Sequence, residues 1–132
     1  MNAGRADFTP VFLSEIPRLF KTGRLPIDVA LIQVSPPDRY GYCSYGTEVG
    51  VTKTAAESAK FVIAEVNPHM PRTLGDSFIH VGKIDYVVEV DYFLPEVQMA
   101  ISSPEQEAIA NHLAAIIPDG ATLQMGIGGI PD

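Results

Sequence analysis

The stretch of this chain best suited to hold a ligand is rich in glycine. Gly126-Ile127-Gly128-Gly129-Ile130-Pro131-Asp132 follows directly on the apolar run Ala121–Met125. Glycines placed after a buried strand let backbone N–H groups come close to a ligand, and a helix opening behind them adds partial positive charge. A loop of this kind suits a phosphate, a carboxylate or a thioester oxyanion. It suits equally well a tight strand-to-helix turn that holds nothing. The dinucleotide fingerprint G-x-G-x-x-G is not met, because its third glycine falls on Pro131. No Gly-Lys-Ser/Thr follows, which excludes a Walker-type phosphate loop.

Further stretches carry chemistry-bearing side chains after apolar runs. Ser35-Pro36-Pro37-Asp38-Arg39-Tyr40-Gly41 follows Val29–Val34. Ligands of open α/β sheets bind beyond the carboxyl ends of the strands, where this segment and the glycine loop both lie if their strands are parallel. The plainer alternative is a Pro-Asp turn in which Asp38 bonds its own backbone. Asn67-Pro68-His69-Met70-Pro71-Arg72-Thr73 follows Phe61–Val66. Arg72 is suited to grip a carboxylate or phosphate in a fork, or else lies on the surface with its stem along a proline. Cys43 has no histidine near it in sequence to activate a thiolate. His69, His80 and His112 show no metal-ligand spacing, so no metal site is expected. Glu105 and Glu107 favour a helix dipole more than acid–base work.

The elements that must position these residues are short, because eleven prolines and eleven glycines divide the chain. Residues 11–21 predict a helix interrupted by Pro17 and stopped by Gly23. Val29–Val34 is a nearly unbroken apolar run and predicts a strand buried on both faces, as parallel strands are. Residues 38–50, with Gly41, Gly46 and Gly50, read as a long loop. Thr52–Lys60 predicts a short helix leading into a strand at Phe61–Val66, a βαβ unit with a right-handed crossover. Asn67–Arg72 must be irregular between its prolines. A short strand is expected at Phe78–Val81 and another at Tyr86–Val90. Ser103-Pro104-Glu105-Gln106 is a capping box with proline at the first helical position. Ile109, Leu113, Ile116 and Ile117 then give an amphipathic stripe. Ala121–Met125 is expected as a fourth strand, with a helix due after Pro131. The fold class is α/β, a mainly parallel sheet with flanking helices.

Composition sets the outer limits. The chain has 132 residues, 46% of them hydrophobic, which suits one domain or a piece of a larger one. No apolar run approaches the ~20 residues of a membrane helix. Met1–Pro10 holds no apolar segment of a secretory leader. The single Cys43 fits a reducing cytoplasm. Nine Lys plus Arg against sixteen Asp plus Glu give a net charge of −7 with no basic run, so nucleic acid is not an expected partner. A strand that opens into a glycine loop and stops is expected to be a segment of something longer.

The chain resembles the acetyl-CoA hydrolase/transferase family, which includes 4-hydroxybutyrate and butyrate:acetate CoA-transferases. The resemblance rests on Phe8-Thr9-Pro10-Val11-Phe12, on Asp28 through Asp38, and on Gly41-Tyr42-Cys43-Ser44. It continues through Asn67, Met70-Pro71-Arg72-Thr73, Gly75-Asp76-Ser77 and the run Asp119–Asp132, in order along nearly the whole chain. It implies one part of the N-terminal half of a CoA-transferase fold, a single segment over residues 1–132 that ends at the glycine loop before the next helix. It also implies ping-pong transfer of CoA from an acyl-CoA to a small carboxylate, or hydrolysis of the acyl-CoA, through a glutamyl-CoA thioester. No cofactor is held permanently, and the CoA thioester is the substrate. The family's catalytic glutamate lies beyond the glycine loop, so no catalytic residue is expected within this chain, and the segment alone is expected to be inactive. The lining roles implied for this sequence fall on Gly126, Gly128, Gly129, Ser35 and Asp38, with Arg72 as a further contributor. The rival reading is a non-catalytic acyl-CoA-binding or assembly module of the same fold. A truncated sheet would expose apolar surface, so the isolated segment is expected to self-associate.

Overall fold

The computed structural model describes residues 3–97 and 102–128. The chain divides near Leu94 into two compact units, each described by itself.

In the first unit a 3-10 turn at Leu13–Glu15 runs into helix α1, Ile16–Lys21. Pro17 does not interrupt this helix. It occupies the first turn, where its missing N–H has no intrahelical partner to lose. Gly23, at φ +69°, follows the helix end. Strand β1 spans Val29–Val34, β2 Tyr42–Ser44, helix α2 Thr52–Ser58, β3 Phe61–Val66, β4 Phe78–His80 and β5 Tyr86–Glu89.

Strands β1, β3 and β5 form a parallel sheet in that order. Val29 pairs with Phe61 and Val34 with Val66; Ile63 pairs with Tyr86 and Val66 with Glu89. Helix α2 lies in the crossover from β1 to β3 and packs against β1. The β-α-β unit expected from the alternation of apolar runs is therefore present. Strands β2 and β4 pair antiparallel in a separate two-stranded sheet, Tyr42 opposite His80 and Ser44 opposite Phe78. Residues 38–50 are thus not simply a loop. Their central strand takes its partner from more than thirty residues away, a pairing with no local sequence signal.

The core gathers on one side of the parallel sheet. Ala30, Ile32, Val34, Val62 and Ala64 meet Ala56 of α2 together with Cys43, Tyr45 and Ile79. The expectation that β1 is buried on both faces is corrected here. Its burial alternates strictly at the start, with Ala30, Ile32 and Val34 buried and Val29 and Leu31 exposed. An unbroken apolar run does not record which face is covered, because the covering element supplies that information.

In the second unit helix α3 spans Pro104–Ile116. Ser103 accepts a hydrogen bond from the N–H of Gln106, and the Gln106 side chain accepts one from the N–H of Ser103, closing the capping box. Ala121–Met125 is not a strand: among the described residues it has no ladder partner, and without one an extended segment has no backbone bonds to define it. Pro131, and the helix expected after it, lie outside the described residues.

Candidate functional site

The loop after β1 is built by its own backbone. The N–H of Ser35 donates to the carbonyl of Ser44 at 2.9 Å, and the Ser35 hydroxyl accepts from the N–H of Ser44 at 2.9 Å. Ser35 is buried by this double bond to β2. Past the two prolines, Asp38 Oδ1 accepts from the N–H groups of Tyr40 and Tyr42, each at 2.9 Å. Gly41, at φ +83°, closes the turn by donating to the Asp38 carbonyl. The other carboxylate oxygen, Oδ2, accepts from Arg72 Nη2 at 2.7 Å. The N–H of Tyr42 is the main reason the Asp38 carboxyl lies below the ordinary aspartate range; the N–H of Tyr40 and the charges of Arg72 and Arg39 add to it, against partial burial.

Arg72 closes this arrangement from the far side. Its Nη1 donates to the Tyr42 carbonyl at 2.9 Å while Nη2 holds Asp38, and its guanidinium carbon sits 4.7 Å from the centre of the Phe78 ring. The fork is filled by groups of this chain, and the guanidinium stacks on an aromatic ring. Asp38 bonds its own backbone, as the turn reading expects, and it also anchors a distant arginine, which neither reading anticipated.

Next to this clamp lies a buried knot of hydroxyls. Ser44 Oγ accepts from the N–H groups of Gly46 and Thr73, both at 3.1 Å. Thr73 Oγ1 donates to the Gly46 carbonyl at 2.9 Å, and Ser77 Oγ donates to the Thr73 carbonyl at 2.7 Å. Ser44 and Ser77 are buried. The knot ties β2, the Met70–Thr73 segment and the approach to β4 into one piece. Beneath it Tyr45 is buried, and desolvation, with a smaller push from Glu57, raises its phenol to about 12.

Beyond the carboxyl ends of the parallel strands there is an open cleft of about 400 Å³ lined by Pro36, Pro37, Val66, Pro68, Glu89, Val90 and Asp91. This is the edge on which open α/β sheets place ligands. Its wall is stiffened by Asn67, whose N–H donates to the Val34 carbonyl and whose side chain donates to the Tyr92 carbonyl, both at 2.9 Å. Asn67 Oδ1 also accepts from the N–H of His69 at 3.0 Å. The His69 ring pairs with Asp91 at 2.8 Å and lies against Phe93.

The structure therefore brings Ser35, Asp38 and Arg72 together around β2, with Ser35 and Asp38 on the loop that carries the cleft prolines. Gly126 and Gly128 lie in the second unit and are exposed. Gly128 is at φ +134°, a conformation that favours glycine. Gly129 lies outside the described residues. Reasoning from residue type missed the Ser44–Thr73–Ser77 knot, because small hydroxyl residues in separate loops carry no spacing signal. It also missed the pairing of His69 with Asp91. The Asn67-Pro68-His69 segment was legible as a loop after a strand, which was the available clue.

Residues 1–97 match the model of the acetyl-CoA hydrolase/transferase N-terminal domain. The chain is 62% identical over 132 residues to the 4-hydroxybutyrate coenzyme A transferase of Clostridium kluyveri, covering 100% of this chain and 31% of that protein. It is 43% identical to the succinyl-CoA:acetate/propanoyl-CoA:succinate CoA transferase of Fasciola hepatica, over 98% of this chain and 27% of the relative. Among solved structures, the 4-hydroxybutyrate CoA-transferase of Porphyromonas gingivalis is 46% identical, with a TM-score of 0.85 over 93% of this chain and 31% of its own. RipA from Yersinia pestis is 36% identical, with a TM-score of 0.88 over 98% of this chain and 30% of its own. The chain spans about 31% or less of the length of the curated relatives it matches.

Proposed function

The chain belongs to the acetyl-CoA hydrolase/transferase family, as part of its N-terminal domain, and on that premise we propose that it serves acyl-CoA:carboxylate CoA transfer or acyl-CoA hydrolysis. The observation that carries this is the 62% identity to a 4-hydroxybutyrate coenzyme A transferase along all 132 residues. The reaction proceeds on a glutamate outside this chain. Its carboxylate attacks the acyl thioester carbonyl and expels CoA as a thiolate, leaving a mixed anhydride. The thiolate then attacks the glutamyl carbonyl, forming glutamyl-CoA and releasing the first carboxylate. An incoming carboxylate reverses the two steps in transfer, whereas water attacks the glutamyl thioester in hydrolysis. The exchange balances with a thioester and a carboxylate alone, so no resident cofactor is required.

In this reading the chain builds one wall of the site. The Ser35–Asp38 loop forms the rim of the cleft, and Arg72 acts as a positioning residue that fixes Asp38, with both of its terminal nitrogens already engaged. The backbone of Gly126, Gly128 and Gly129 approaches the acyl-thioester region. No helix among the described residues is long and apolar enough to cross a membrane. We assign the protein to the cytoplasm on the strength of its one unpaired, buried cysteine, Cys43. The isolated chain self-associates through the apolar surface it leaves exposed.

The test is to express the complete reading frame and follow acyl-group exchange between butyryl-CoA and acetate or 4-hydroxybutyrate. The expected result is parallel-line (ping-pong) initial-rate kinetics for the complete protein and no turnover by the 132-residue chain. A complete protein that binds acyl-CoA but neither transfers nor hydrolyses it overturns the enzyme reading in favour of a binding module.

A further inference from the structure

Tyr45 is only 1% exposed, yet its hydroxyl makes no hydrogen bond among the described residues. A buried phenol ordinarily finds a partner for its O–H. No sealed polar side-chain atom among the described residues is left without a partner, so this hydroxyl is the accessible tip of an otherwise buried ring. It opens on a pocket of about 170 Å³ between helix α2 and the β2–β4 sheet. Three further polar side chains line that pocket. Glu57 on α2 lies near enough to act on the Tyr45 phenol through its charge. His80, at the end of β4, accepts from the N–H of Gly82 at Nδ1, at 3.1 Å, so the neutral ring carries its proton on Nε2, which has no partner. Lys83 ends the short 3-10 turn Val81–Lys83. Neither Glu57 nor Lys83 forms an ion pair among the described residues. None of these residues lines the cleft beyond the parallel strands.

The polar groups are unequal in kind. A phenol O–H, an imidazole N–H and an ammonium are donors, and the Glu57 carboxylate is an acceptor alone. The donors suit an acceptor-rich anion, and a carboxylate brings the single charge that Lys83 balances. A phosphate dianion brings one charge too many beside Glu57. Glu57 in turn calls for a donor at the other end of the ligand. Ala56, Phe78 and Ile79 give the pocket an apolar wall, which suits methylene groups between the two ends. A cavity of about 150 Å³ admits benzene, so this one has room for a chain of about six or seven non-hydrogen atoms. We propose that the pocket is a binding site for a short aliphatic carboxylate with a hydroxyl or ammonium group at its far end. Lys83, His80 and Tyr45 donate to the carboxylate, and Glu57 accepts from the distal group.

The experiment places 3-fluorotyrosine at position 45 of the protein expressed from its complete reading frame. The fluorine resonance is followed as 4-hydroxybutyrate, 4-aminobutyrate or butyrate is added. The expected result is a saturable shift with a Kd of about 1 mM for a molecule with a distal donor, and binding about tenfold weaker for butyrate. The tighter of the first two identifies the distal group as hydroxyl or ammonium. Lys83→Met is expected to abolish the shift, and Glu57→Ala to remove the advantage over butyrate. A resonance that none of the three moves at about 20 mM leaves water alone in the pocket and overturns the proposal. A shift that survives Lys83→Met overturns it too, because the ligand then acts from another site. So does a shift of equal strength with butyrate. Ring-labelled tyrosine, assigned through Tyr45→Phe, reads the same position if the fluorinated protein fails to fold.

Discussion

Two side-chain clusters in this chain use the same kinds of bond to different ends. Around Ser44, hydroxyls are buried and bond mostly to backbone, joining segments from Gly46, Thr73 and Ser77. Around Glu65, a carboxylate, an amide and a phenol bond chiefly to one another on the half-covered face of the sheet. The first cluster has no spare capacity that a ligand needs; it is scaffold, and it holds the Asp38–Arg72 clamp and the cleft rim in place. The second is a surface feature whose value depends on what comes to lie beside it. Polarity alone does not distinguish them. Burial and the number of backbone groups that depend on each do.

The sharpest way to break this comparison is Ser44→Ala. The change leaves the N–H groups of Gly46 and Thr73 without the oxygen they now share. Each buried orphan costs about 1–3 kcal/mol, so a loss of roughly 2–4 kcal/mol in urea unfolding is expected. A loss under about 1 kcal/mol would mean that water replaces the hydroxyl and that the knot is not scaffold.

Gly46→Ala is the next largest effect and probes the same region through its backbone. Gly46 is at φ +64°, and a methyl there would overlap the Met70 side chain. Gly75, at φ +86°, has open space at the corresponding position. A cost of about 1–2 kcal/mol is expected at Gly75 from backbone conformation alone, and about 1 kcal/mol more at Gly46 from overpacking against buried Met70. Equal costs at the two positions would show that the knot yields easily.

A pH series separates the clamp from the phenol beneath it. Asp38 has a depressed folded pKa, so the stability it contributes is complete above the ordinary aspartate value. That contribution is lost as pH falls below this value and through the lower folded one. Tyr45 is raised from 10.0 to about 12, so its contribution is complete below pH 10.0 and is lost as pH climbs towards 12. Asp38→Asn is expected to flatten the acid limb of the stability curve and leave the alkaline limb in place. Tyr45→Phe is expected to do the reverse. A single variant that flattens both limbs would mean that the two groups act as one unit.

Much of this was legible in the sequence, and what was not has a common cause. Strands β1 and β3, helix α2 and the Ser103 cap were readable because each is specified by neighbours within a few residues. Strand β2 was not, because three residues pair with His80, Ile79 and Phe78 far along the chain. Leu31 and Ile32 look alike as letters, yet one is exposed and the other buried. Asp38 was readable as a turn residue, whereas its hold on Arg72 depends on how two separate loops pack. Local periodicity reports what a segment prefers to be, and the partner decides which face is used.

Glu65→Gln is expected to have the smallest effect and sharpens the comparison most finely. The hydrogen bond from Tyr92, then that from Gln33, holds the Glu65 carboxyl below its ordinary value, and Glu65 in turn raises the Tyr92 phenol. Because Glu65 is depressed, its contribution is present above the ordinary glutamate value and is lost as pH falls through the folded one. In the 132-residue chain the cluster faces water, so the substitution is expected to shift the melting temperature by less than about 2 °C. The Tyr92 phenol should titrate closer to an ordinary tyrosine, read by its ultraviolet absorbance. A shift as large as that expected for Ser44→Ala would mean that the Glu65 cluster is scaffold as well, and that exposure does not separate the two clusters.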